Sequence, residues 1–240
     1  MKHLTALTAR AASHRAARPV RSTFNRLVGH RRRVVRVLLG PNRGARVELD
    51  LSREKAFWLG SYEPEVQEFL RQYVRPGHVF YDVGAHIGFL SICAARLGAA
   101  VFAFEPSTEN ARRLRRHAEL NDLFVEVAEV AVWDEEGAVD LVPGDSDSEW
   151  RAVPGTSVPT VTIDSWAAVH PSPQIVKIDA EGAEGRVLAG AQQVLAEARP
   201  IVVCELHGGR ARSEVLDALE GYFVQELAAS HIVAVPANGA

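Results

Sequence analysis

With 240 residues, 47% apolar and 24% charged, the chain can bury one substantial core beside a short appendage and has the composition of a folded globular protein. No run approaches the roughly 18–20 uninterrupted apolar residues of a membrane-crossing helix, and Cys93 and Cys204, both inside apolar stretches, read as buried thiols in a reducing cytoplasm rather than a disulfide or metal pair. The net charge of −3 conceals a polarity: residues 1–46 hold twelve of the 27 Lys and Arg and no acid, leaving 15 basic against 30 acidic residues in the remainder.

Residues 1–44 therefore read as a basic N-terminal extension, partly helical, ahead of a single domain over 45–240. The arm is expected to fold against the acidic body. Contact with a membrane or another acidic surface, or organelle targeting, are the alternatives, and nucleic-acid binding is not expected. Ala45–Leu51 alternates as a short strand, and Pro64–Tyr73 sets Val66, Phe69, Leu70 and Tyr73 at helical spacing behind a proline suited to a first turn. HVFYDVGA (78–85) is nearly all apolar, as a strand covered on both faces should be. IGFLSICAARLG is helical to Gly98, AAVFAFEP is a second buried strand, and STENARRLRRHAELND is a helix whose Arg112, Arg113, Arg115 and Arg116 form a solvated basic face.

FVEVAEVAVWDEEGAVDLVP reads as a strand, a turn at Asp134–Gly137 and a returning strand, followed by a polar mobile loop over Gly144–Ser157. VPTVTIDSWAAV is a strand and a helix capped by Asp164, QIVKIDAEG a strand ending in charge, and AEGRVLAGAQQVLAEA one helix. PIVVCELHG is a strand, ARSEVLDALEG a helix, and GYFVQELA with HIVAVPA an antiparallel edge. Strands alternating with helices predict an α/β fold, doubly wound around a mainly parallel seven-stranded, Rossmann-like sheet.

The informative segment is VFYDVGAHIG, a buried strand that runs through Asp82-x-Gly84-x-x-x-Gly88 directly into a helix. Glycines there let a ligand lie against the backbone at the carboxyl end of a strand. A dinucleotide needs bare backbone at the middle glycine position, where this chain has His86. S-adenosylmethionine carries no phosphate; Asp82 suits its ammonium side, directly or through water, and Glu105 at the end of the next strand suits both ribose hydroxyls. The loop therefore favours S-adenosyl-L-methionine over NAD.

These residues resemble the FkbM family of methyltransferases. Gly60-Ser61-Tyr62-Glu63-Pro64 is similar to its G-x-Y-E-P element, FYDVGAHIGFLSI to its D-V-G-A-N-I-G loop with His86 in place of Asn, and VAVWDEEG to its A-V-S-D-x-x-G turn. AFEPSTENARRLRRHAELN resembles its ribose-binding strand and following helix, and VPTVTIDSW and KIDAEGAE resemble two further segments in order and spacing, so the likeness spans roughly residues 45–207. It implies that Asp82, Gly84, His86 and Gly88 line the methionine end of the cofactor, that Glu105 with Pro106 holds the ribose, that Ala131 and Val132 flank the adenine, and that Glu63 closes over the cofactor. It also implies methyl transfer, mostly to hydroxyl oxygens of sugars, polyketides and related metabolites.

Alcohol methylation needs alignment of the acceptor and removal of its proton, which a carboxylate with a pKa near 4 does poorly unaided. Lys177 and Asp179 share a strand face, and His207 ends the neighbouring strand, so Lys177, Asp179 and His207 are the catalytic candidates, with His207 or Asp179 as base. Alternatively Asp179 and Glu181 hold Mg²⁺, which acidifies the hydroxyl. The alternative for Lys177 is a structural pair with Asp82 or Asp179, Glu184 reads as a helix-dipole charge, and His3, His14, His30, His78, His117, His170 and His231 read as incidental. Trp150 and Arg151 are expected to line the acceptor side. A non-catalytic nucleotide-binding protein or a Rossmann oxidoreductase would share the fold.

Overall fold

A computed structural model describes residues 31–143 and 150–237. The described chain opens with an antiparallel pair, β1 (Arg32–Arg36) and β2 (Arg46–Asp50), then α1 (Lys55–Leu59) and α2 (Pro64–Tyr73). An alternating unit follows: β3 (Val79–Val83), α3 (Phe89–Arg96), β4 (Ala100–Phe104), α4 (Thr108–Leu120) and β5 (Val125–Ala128). Next come β6 (Ala131–Val132), β7 (Gly137–Pro143), β8 (Trp150–Pro154) and β9 (Val158–Val161). The remainder is α5 (Ile163–Ala167), β10 (Ile175–Ile178), α6 (Glu184–Ala189), α7 (Gln192–Glu197), β11 (Ile201–Glu205), α8 (Gly209–Ala218), β12 (Tyr222–Glu226) and β13 (His231–Pro236).

The central sheet has seven strands in the order β12-β13-β11-β10-β3-β4-β5, and β13 runs antiparallel to both neighbours. This is the expected doubly wound, mainly parallel Rossmann-like sheet. Its strands are short apolar runs because both faces are covered, and alternate side chains feed two cores. Phe80, Val101, Ile175 and Val203 pack with Val66, Phe69 and Leu70 of α2 and Leu90 and Cys93 of α3. Val79, Tyr81, Val83, Val176, Ile178 and Val202 pack on the other face with Ile163, Val187, Leu188, Val194, Leu195 and Val215. Chain order moves outward from β3 to β5 and returns at β10, so β3 and β10 flank the switch point where such sheets open a crevice.

Several local expectations change. Within the basic stretch, the described residues include the strand β1, because Val35 packs toward the apolar face of β2; residues 1–30 lie outside the described residues. The turn at Asp134–Gly137 does not make a hairpin: β6 pairs in parallel with β9, and β7 lies between β9 and β8 in a separate four-stranded sheet. The polar segment Gly144–Ser157 is not all loop, since Trp150–Pro154 forms β8; residues 144–149 and the side chain of Trp150 lie outside the described part. Thr162, not Asp164, caps α5, through a capping box with Ser165. Asp164 instead accepts the N–H groups of Gln193 and Val194 at the start of α7. The single helix expected after Glu181 is two helices broken at Gly190, where an added Cβ would lie 2.2 Å from the Trp133 carbonyl oxygen.

The basic face of α4 is also only partly solvated. Arg113 is buried and donates to Glu54 at 2.7 and 3.0 Å and to the Glu48 carbonyl at 3.0 Å, tying α4 to the β2–α1 connection. Arg112, Arg115 and Arg116 stay at the surface, where they pair with Glu109, Glu129 and Glu119. Among the described residues no helix is long and apolar enough to cross a membrane. Cys93 and Cys204 are free and buried.

Candidate active site

The carboxyl ends of β3, β4, β10 and β11 open into a cavity of about 410 Å³, within the range of small-molecule sites. Its lining includes ten predicted site residues: Glu63, Gly84, His86, Glu105, Pro106, Ala131, Val132, Asp179, Glu181 and His207. Phe104 of β4, with Trp133, Leu141 and Ala152 on the side of the four-stranded sheet, adds apolar wall, and among the described residues no Lys or Arg lines the cavity.

The loop after β3 is held by its own protein partners. The N–H groups of Gly84 and Ala85 both donate to the Phe104 carbonyl (3.0 and 3.1 Å), that of His86 to Glu105 Oε2 (2.8 Å) and that of Gly88 to the Ala85 carbonyl (2.8 Å). Four amides that a phosphate would need are thus consumed, and among the described residues no Lys or Arg lines the cavity to replace them. His86 sits at φ 50°, a left-handed conformation that Asn and His tolerate better than most residues. Burial holds its imidazole neutral, with the pKa lowered to about 4. Glu105 takes further N–H groups from Ser107 (2.9 Å) and Asn110 (3.5 Å) on Oε1, and burial outweighs these bonds to raise its pKa. Its two oxygens still offer lone pairs to the cavity.

Three predicted residues are displaced from the main cavity. Gly88 packs against α4 at φ 79°, where a Cβ would lie 2.3 Å from Leu114 Cγ, so its role is close helix packing. Asp82 is fully buried, accepts the Ser91 hydroxyl at 2.5 Å, and shares with Lys177 a recess of about 10 Å³, the space of one water. Lys177 is its register partner across β10 and β3 and lies 3.8 Å from it. The Lys177 ammonium also donates to Asp179 Oδ2 and the Gly84 carbonyl, each at 3.2 Å. Burial alone would lower the Lys177 pKa, but the carboxylates of Asp179, Asp82 and Glu63 outweigh it and hold the ammonium charged. Lys177 is therefore a strut that fixes Asp179 and the glycine loop.

Around His207 the carboxylates converge. Its Nδ1 lies 2.8 Å from Glu184 Oε1, and its Nε2 faces Glu181 (3.4 Å), Asp179 (3.9 Å) and Glu205 (4.0 Å). The bond to Glu184 outweighs partial burial and raises the His207 pKa to about 9. Glu184 stands in the first turn of α6, as expected of a helix-dipole charge, and being fully buried it also orients the His207 ring. His231 is likewise not incidental: it lies 3.5 Å from Glu63 and 3.6 Å from Glu205. Glu184, Glu205 and His231 went unrecognised in the sequence because a charged residue at a helix start or strand end shows no partner there. The one available signal was the spacing of Glu205, the last residue of β11, and His207, two residues further on. Among the described residues, two sets of three donors come within 4.8 Å of one another, Asp179–Glu205–His207 and Glu63–Glu205–His231; Glu181 belongs to neither.

An acidic, nucleoside-sized crevice fits a cationic nucleoside ligand better than a phosphate-bearing one. Residues 82–227, more than half of the chain, match the family model described as Methyltransferase FkbM domain. Over 153 residues the chain is 28% identical to the hexuronic acid methyltransferase AglP of Haloferax volcanii, covering 61% of this chain and 63% of that protein. Over 80 residues it is 34% identical to a ribosomal protein L11 methyltransferase of Caldanaerobacter subterraneus, covering 32% of this chain and 26% of the other. The chain thus spans less than two thirds of the length of either relative. Among solved structures, the methyltransferase FkbM of Methylobacillus flagellatus is similar with a TM-score of 0.49 and 17% identity, over 70% of this chain and 50% of that one.

Proposed function

Because the chain belongs to the FkbM methyltransferase family, we propose that it is an S-adenosylmethionine-dependent methyltransferase acting on a hydroxyl of a small molecule such as a sugar or polyketide. The observation that carries this reading is the glycine loop, whose amides are bonded to Phe104, Glu105 and Ala85 and so are withdrawn from any phosphate. S-adenosylmethionine, when bound, supplies a methyl on a cationic sulfur that needs no further activation. The residues proposed to hold it are Glu105 and Pro106 at the ribose, Ala131 and Val132 at the adenine, and Gly84 and His86 at the methionine end, with Asp82 acting from its recess.

Proton removal is assigned to His207 Nε2. Glu184 holds the ring through Nδ1, leaving Nε2 toward the cavity beside Asp179. Mg²⁺ at Asp179 and Glu181 is the less favoured route, because Asp179 Oδ2 is bonded to Lys177 and Glu181 falls outside both three-donor sets. The acidic lining favours a neutral hydroxyl over a carboxylate acceptor, although one relative is named for hexuronic acid. A cytoplasmic setting accords with the two free, buried cysteines. The basic stretch over 1–44 is proposed as an arm for an acidic or membrane surface, ahead of the catalytic domain.

Calorimetric titration with S-adenosylhomocysteine, and separately with NAD, tests the cofactor. Micromolar binding of the first without the second is expected; binding of neither would return the chain to a non-catalytic role, and binding of NAD alone to an oxidoreductase.

A further inference from the structure

Beside the His207 cluster, and sharing Glu205 with it, stands a second constellation: Glu63 ahead of α2, Glu205 at the end of β11, and His231 at the start of β13, directly across the strand pair from Glu205. His231 is 6% exposed, yet its Nε2 makes no hydrogen bond, and neither does the buried Oε2 of Glu63. A hydrogen-bond chain assigns the state of the ring. The Ser230 hydroxyl donates its single proton to Glu205 Oε1 (3.1 Å), so its oxygen accepts from His231 Nδ1 (3.2 Å). Nδ1 therefore carries a proton, and Nε2 faces two carboxylate oxygens. That arrangement needs a positive charge between them, either a second ring proton or a metal ion.

The spacings identify the cation. Charge-assisted N–H···O bonds close to about 2.7–2.9 Å, whereas Nε2 stands 3.5 Å from Glu63 Oε2 and 3.6 Å from Glu205 Oε2. Ligands bound at about 2.0–2.2 Å around a tetrahedral ion lie about 3.3–3.6 Å apart, which matches those two separations. All three donor atoms fall within 4.8 Å of one another. The nearby cationic groups are already engaged elsewhere, Lys177 by Asp179 and His207 by Glu184. The rival set around His207 is looser, at 3.9 and 4.0 Å from Asp179 and Glu205.

We propose that Glu63, Glu205 and His231 form a binding site for a first-row divalent metal, zinc by preference, with Ser230 as the outer partner that fixes the imidazole and a fourth coordination position facing the cavity. One nitrogen and two carboxylate oxygens with an open position is a donor set suited to zinc.

The full chain, purified without chelator, should carry about one zinc per chain, and the chelator-treated protein should take up Co²⁺ with a visible absorption band and a rise in melting temperature. His231→Gln and Glu205→Gln should abolish the band, Ser230→Ala should weaken metal binding by about 10–100-fold, and His207→Gln should retain it. Wild-type protein that takes up neither zinc nor Co²⁺, or a band lost in His207→Gln but kept in His231→Gln, would overturn the assignment. The wild-type measurement stands even if a variant fails to fold. No cofactor or acceptor is needed, so the outcome is independent of the methyl-transfer reading.

Discussion

The imidazole of His207 is bonded through Nδ1 to the fully buried carboxylate of Glu184 at 2.8 Å, and the two residues come from different strand-to-helix connections 23 positions apart. The pairing fixes the ring and raises its pKa to about 9. Glu184→Gln removes the charge and must lower that pKa toward the ordinary value near 6.5. If His207 is the base, the alkaline rise in methyl-transfer rate should move to lower pH in Glu184→Gln, and His207→Gln should lose about 10²–10⁴-fold in kcat. A pH–rate profile unmoved by Glu184→Gln would assign the base elsewhere.

The same pair sets a stability window. The folded state holds the His207 proton more tightly than the unfolded chain, so its contribution is complete below about pH 6.5 and is lost as pH rises through about 9. At 1.36 kcal/mol per pKa unit this amounts to no more than about 3 kcal/mol. Urea midpoints should fall across that interval in the wild type and stay flatter in His207→Gln. Parallel declines in the two proteins would exclude His207 as the source.

Glu105 carries the loop and, in the proposed function, the ribose. Glu105→Ala should weaken S-adenosylhomocysteine binding by about 1.5–3 kcal/mol, the worth of charge-assisted hydrogen bonds. Unchanged affinity by calorimetry would remove it from the binding set.

Two glycines of the loop should respond differently to alanine. At Gly88 the added methyl meets Leu114 Cγ at 2.3 Å, a side chain that can be trimmed; at Gly84 it meets the Asp179 carbonyl oxygen at 1.8 Å, which cannot. Gly88→Ala should cost about 2–4 kcal/mol from its left-handed backbone and crowding. Adding Leu114→Ala should recover part of the crowding cost, while no side-chain change should rescue Gly84→Ala. Denaturant melts of the two single variants and the double variant decide this.

Arg113 is the buried half of a bidentate pair with Glu54. Arg113→Ala should cost about 3–5 kcal/mol, because Glu54 is left without its partner. A loss below about 1 kcal/mol would place the pair with ordinary surface bridges.

Much of the architecture was legible in the sequence, and for local reasons. An apolar run such as VFYDV has one stable solution when helices can cover both faces, and the Asp82-to-Gly88 spacing, the αL-tolerant His86 and the acid ending β4 report on a single strand-turn-helix unit. Periodicity therefore located β3, α3, β4 and α4 and, with them, the cofactor side of the crevice. What the sequence could not decide was pairing over long separations. Arg113 is solvated or buried according to whether Glu54, 59 residues away, reaches it. The strand after Asp134 joins β9 and β8 rather than β6 because the four-stranded sheet is assembled from non-consecutive partners. Glu63 stood out in the sequence only as part of a Y-E-P element and Glu205 and His231 not at all, and only the antiparallel register of β11 with β13, closed by the start of α2, turns the three toward one point. Strand and helix signals are written in neighbouring residues, whereas the electrostatics of a site depend on distances that only the packed sheet sets.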